Sequence, residues 1–122
     1  VSITTLRTEL AELVGAATGF KPSAFLPSKF QAKSVYVTPP AGRWITPAER
    51  FGYFNVTFEV SLLLSGLNNQ TGTEAANDAV EEALVALVNG GWGVESADVE
   101  PLTSDGATYL GVVITVTNSI SF

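Results

Sequence analysis

The densest set of ionisable side chains in this sequence is the group of four carboxylates Glu74, Asp78, Glu81 and Glu82. Oxygens of this kind hold a divalent cation when several converge on it, usually with loop carbonyls among them. Here the i, i+4 and i+7 spacing sets Glu74, Asp78 and Glu81 along one stripe of a helix, with Glu82 one step round, so they do not converge. No Lys or Arg shares that helix. The stripe reads as a solvated face, or as a face that basic groups such as Arg43, Arg50 or a neighbour's loop compensate. Nucleophilic catalysis needs Ser, Thr or Cys beside a base. The chain has no His and no Cys, and neither S-x-x-K nor G-x-S-x-G occurs. Gly90-Gly91-Trp92-Gly93 follows a helix instead of opening one, unlike a phosphate loop. The expectation is a protein that is not an enzyme, with no catalytic residue, metal or cofactor. The sequons at Asn55 and Asn69 read as chance, the first because it lies mid-strand.

Charge is distributed unevenly along the 122 residues. Residues 1–50 hold all six basic side chains and three acidic ones, net +3, while residues 51–122 hold nine acidic and no basic ones, net −9. Such a layout bears on partners and solubility. It suits an acidic, solvated surface, or contacts in which the basic and acidic regions of neighbouring copies meet. Few and scattered basic residues argue against a grip on nucleic acid. Residues 1–5 lack the basic start and apolar run of a signal peptide, and runs such as Leu62-Leu63-Leu64 are too short to span a bilayer. A soluble protein with no membrane partner is expected.

The elements that position these groups follow from periodicity. Ser2 can cap a helix whose stripe is Ile3, Leu6, Leu10, Leu13, Val14 and Ala17, with Gly19 as its stop. Residues 51–65 read as one long strand, with Phe54, Val56, Phe58, Val60, Leu62 and Leu64 on one face. Thr71 and Glu74 form a T-x-x-E capping box after the turn residues 65–70. The helix that follows buries Ala76, Val80, Ala83, Leu84, Leu87 and Val88, and Asn89-Gly90-Gly91 ends it. Strands at 94–102 and 108–121 flank Asp105-Gly106, a hairpin signal, and Pro101 moves the first of them toward an edge or a bulge. A strand of residues 51–65 is roughly 50 Å long, against about 35 Å for a globule of this size. It must bend or project, and a projecting ribbon calls for a neighbour to cover its edges.

Residues 19–50 hold five of the six prolines together with Phe20, Phe25, Phe30 and Trp44, and only Ser34–Thr38 reads as a strand. The loops on either side are long for a compact domain, yet too rich in aromatics for disorder. Those aromatics pack back on the domain or are covered by a second copy. Phe20, Phe25, Phe30, Arg43, Trp44 and Arg50 are the expected subunit or partner interface. The sum is a single α+β domain over residues 1–122, with about four strands, two helices and long Pro- and aromatic-bearing loops.

This order of elements, with stretches such as 54–64 and 73–90, resembles the tail terminator (tail-completion) proteins of long-tailed phages over nearly the whole chain. The family has no signature motif, so no residue role carries over individually. The resemblance implies helices packed on a mixed or mainly antiparallel sheet. It also implies a virion protein, assembled in the host cytoplasm as a homo-oligomeric ring, usually a hexamer. The ring caps the tail tube protein, stops its polymerisation and meets the head–tail connector protein, while DNA only passes through. Glu59 on the polar strand face, or the stripe of Glu74, Asp78, Glu81 and Glu82, would then line the hole, because a passage for DNA avoids Lys and Arg. The alternatives are another neck or tail component, a connector or tube subunit, or a small dimeric α+β module that binds a ligand through Trp44 and Trp92.

Overall fold

The first apolar stripe folds as α1, Ile3–Thr18, in a computed structural model that describes residues 2–23, 33–64, 70–104 and 107–122. Ser2 is its N-cap, and its hydroxyl accepts the Thr5 N–H at 3.1 Å, satisfying one of the donors left over at a helix start. Gly19 ends it at φ 76°, where its N–H reaches the Gly15 carbonyl, a conformation that costs a residue without Cβ little. Gly15 in turn lets the chain return close by, since a Cβ there would stand 3.0 Å from the Pro22 Cβ.

Among the described residues six strands follow: β1 Lys21–Ser23, β2 Ser34–Thr38, β3 Ile45–Pro47, β4 Phe54–Leu63, then after α2 (Gln70–Asn89) β5 Gly93–Ser104 and β6 Ala107–Ile120. The sheet runs β1-β2-β4-β6-β5, and β3 joins β4 beside β2. The β1–β2 pair is parallel and the other four pairs are antiparallel, so the sheet is mixed and the fold is α+β. About four strands were expected. The two extra ones, β1 and β3, are three residues long and show no alternation. Each holds a proline, Pro22 and Pro47, which a sheet edge tolerates.

Register fixes the two faces. Val35, Leu62 and Val112 form one row, Val37, Val60 and Ile114 the next, and Phe58 stands opposite Val116. All are buried with Leu6, Leu10, Val14, Ala83 and Leu87 of the helices. The other face carries Thr38, Glu59 and Thr115, then Thr57 and Thr117. It is closed only toward the end of β4, where Tyr36, Ser61, Leu63 and Val113 are also buried.

Three boundaries differ from the sequence reading. The long strand begins at Phe54, not Phe51, because Gly52 at φ 82° makes the β3–β4 turn, closed by the Tyr53 N–H on the Arg50 carbonyl. α2 begins at Gln70, so Thr71 lies inside the first turn instead of capping it. The turn at 65–69, the Thr71 side chain and Asp105-Gly106 lie outside the described residues. The β5 bulge falls at Glu95, between Val94 and Ser96, and not at Pro101, although β5 is an edge strand as expected. The projecting ribbon is made by β5 and β6, whose pairs from Pro101↔Leu110 to Ser104↔Ala107 continue past the last β4 pair, Leu63↔Gly111.

α2 ends as expected. The Trp92 N–H bonds the Leu87 carbonyl and the Gly91 N–H the Val88 carbonyl, with Gly91 at φ 88°, a Schellman arrangement. It delivers Trp92 into the core, edge-on to Phe58 at 6.1 Å. Neither helix is long and apolar enough to cross a membrane. Phe58 is fully buried in the middle of β4, so Phe58→Ala is expected to cost about 3–5 kcal/mol. Urea unfolding followed by tryptophan fluorescence checks this, with a lower midpoint and an unchanged slope as the expected result.

Candidate assembly surfaces

Chain order sorts charge onto opposite edges of the sheet. β1, β2 and β3 all lie on one side of β4, and β6 and β5 on the other. Lys21, Lys33, Arg43 and Arg50 sit in this group or in the segments beside it, with Glu49 as the acid among them, and all five are exposed. Arg7 lies on α1, with a guanidinium N–H donated to the Val37 carbonyl at 2.9 Å. The opposite edge carries Glu95, Asp98 and Glu100 on β5, and α2, which contacts β5 and α1, adds Glu74, Asp78, Glu81 and Glu82. These seven acids are exposed.

The residues expected at an interface separate into three groups. Phe20 and Trp44 are half-buried and pack against the protein's own core. The Trp44 indole N–H is buried without an acceptor, and its carbonyl accepts the Thr57 N–H of β4. Phe25 and Phe30 lie outside the described residues. Arg43 and Arg50 are exposed, and the Arg50 guanidinium lies 4.2 Å from the centre of the Tyr53 ring, a cation–π contact that holds it at the hairpin. The lumen candidates also divide. Glu59 is on the open face, whereas Glu74, Asp78, Glu81 and Glu82 are on the helical layer across the sheet, so the two sets cannot line one surface.

The open face forms a polar groove of about 690 Å³, with Arg43 and Glu95 among its walls and Asn55, Thr57, Thr115 and Thr117 along its floor. Hydroxyls and amides dominate this lining.

Sequence reasoning missed the most exposed aromatic among the described residues. Phe51 is fully exposed, at 101 %, in the β3–β4 hairpin. The signal was Gly52, a turn residue that places Phe51 outside the strand. Phe54 and Phe122 meet at 5.9 Å nearby on the same sheet end and remain partly exposed. On the acidic side Val85, Val88 and Val99 are exposed. A hollow of about 420 Å³ between α2 and the sheet is lined by Leu64, Val80, Ala97, Val99 and Leu110, with Glu81 at its wall.

The chain matches no protein-family model and no curated protein.

Tyr36, on the closed part of the open face, is held neutral. Burial pushes its phenol above the usual 10.0, the hydrogen bond with Ser61 acts against this, and the Glu100 charge adds to the rise. The folded-state value therefore exceeds the unfolded one. The resulting stability is intact below about pH 10 and is lost as pH rises through the folded value. The urea midpoint is expected to fall more between about pH 9 and 11 in the wild type than in Tyr36→Phe. Equal falls would show that this phenol plays no part.

Proposed function

We propose that this chain is a tail terminator, a structural, non-enzymatic subunit of a ring that caps the tail tube of a long-tailed phage and presents a surface to the head connector. The observation that carries the reading is the opposite charge on the two sheet edges. A two-fold dimer built on either edge would set like charges face to face. Pairing the basic edge of one copy with the acidic edge of the next relieves both, and such head-to-tail contacts generate rings when the rotation closes. The same polarity serves a connector or a tube subunit. The dimeric ligand-binding reading loses Trp92, which is a core residue.

In the ring one face of the sheet turns toward the passing DNA. Either face is compatible with the passage: the helical layer offers Glu74, Asp78 and Glu82, and the open face offers Glu59. Lysine in place of Glu59, or of Glu74 and Asp78 together, slows DNA ejection only on the face that lines the hole.

Light scattering at rising protein concentration, alone and with purified tail tubes, tests the proposal. The expected result is a closed oligomer that binds one end of the tube and blocks further tube growth. A 12.8 kDa species under every condition overturns it. A ring that grows along the tube favours the tube-subunit alternative. Association is expected to weaken as salt rises, because exposed charges are screened over about 8–10 Å at moderate ionic strength, and Arg43→Glu or Arg50→Glu should weaken it at low salt. Assembly indifferent to salt and to both reversals would leave apolar packing as the sole attraction.

A further inference from the structure

We infer that neighbouring copies lock together by a knob and a hole: Phe51 of one copy enters the hollow between α2 and β5–β6 of the next, with its Arg50 set against the neighbour's Glu81. The inference rests on the self-assembly reading and specifies its contact. A phenylalanine exposed over its whole side chain gains nothing where it stands. Its burial elsewhere is worth a large share of a contact. The hairpin that carries it is short and held by the Ala48–Tyr53 and Tyr53–Arg50 backbone hydrogen bonds, so little freedom is lost on docking.

The hollow fits this occupant in size and sign. Its 420 Å³ has room for one aromatic ring, and its walls are Leu64, Val80, Ala97, Val99 and Leu110. Val99 at its mouth is 72 % exposed. Glu81 belongs to its wall, whereas Asp98 and Glu100, which alternate with Val99 along β5, project to the open face. A guanidinium next to the incoming ring meets the Glu81 carboxylate there. Knob and hole sit at opposite ends of β4, one beyond Phe54 and the other at Leu64, and on opposite edges of the sheet. They cannot meet within one chain, and a two-fold pair is not required to satisfy them. The contact is heterologous. Glu81 then belongs to the subunit contact and not to the passage.

Complementation tests this. Phe51→Asp removes the knob and Val99→Arg blocks the hole and repels Arg50. Both positions are exposed, so each variant is expected to unfold in urea close to the wild type. Each alone should remain monomeric where the wild type assembles, and an equimolar mixture should give a dimer and nothing larger, because one intact knob and one intact hole remain. Phe51→Ala should weaken association roughly 10- to 100-fold. Arg50→Glu should be rescued in part by Glu81→Arg. Wild-type-like assembly of either single variant overturns the knob and hole while leaving the ring standing. A wild type that never associates overturns the ring itself. A mixture that stays monomeric, or one that grows beyond a dimer, overturns the head-to-tail geometry.

Discussion

Everything in this fold depends on the pairing of β4 with β6. Ten consecutive pairs, from Phe54↔Ile120 to Leu63↔Gly111, hold the two strands in one register. Side chains alternate with a period of two, so a slip by one residue would move Phe58, Val60 and Leu62 to the open face and bring Thr57, Glu59 and Ser61 under the helices. Burial of three large apolar side chains under the helices, in place of Thr57, Glu59 and Ser61, decides the register. The helices contribute the other half of the core, but they lie on a platform whose sidedness these pairs have already set.

β4 is also where the linear charge pattern becomes a spatial one. The strands that precede it in sequence pair on one side of it, and those that follow pair on the other. A chain that is basic before residue 51 and acidic after it therefore folds into a body with a basic and an acidic flank. Had β6 paired outside β2, the same sequence would have mixed its charges along one edge. The polarity comes from topology acting on composition.

The long-period features were legible in the sequence. Both helices and the alternation of β4 and β6 each rest on several residues that agree, while Gly19, Gly90-Gly91 and Pro101 marked the helix stops and the edge strand through the backbone conformations they favour or forbid. What escaped has no such signal behind it. β1 and β3 are too short to alternate. Phe51 is an apolar residue just ahead of β4 but out of phase with its buried face, and the positive φ at Gly52 separates it from the strand. Of the expected contact residues, Arg43 and Arg50 are exposed because charged groups resist burial, while Phe20 and Trp44 lean on the core. An aromatic in a proline-rich loop looks the same in sequence whether it packs inward or outward. Glu59 and the α2 acids were alternatives in sequence and lie on two faces, and nothing local says on which side of a sheet a distant helix will lie.

The place of β6 in the order of synthesis has a consequence for the cell. A ribosome delivers α1, β2, β4 and α2 well before Ala107–Ile120, and until then β4 has no partner on its second side. Val60 and Leu62 lack Ile114 and Val112, and the α2 stripe has only part of its platform. The nascent chain must carry an open, apolar strand edge from the completion of β4 until β6 is made, the state in which chains recruit chaperones or stick to one another. The arrival of β6 closes the edge in one step, so the precursors that lack it are the vulnerable species.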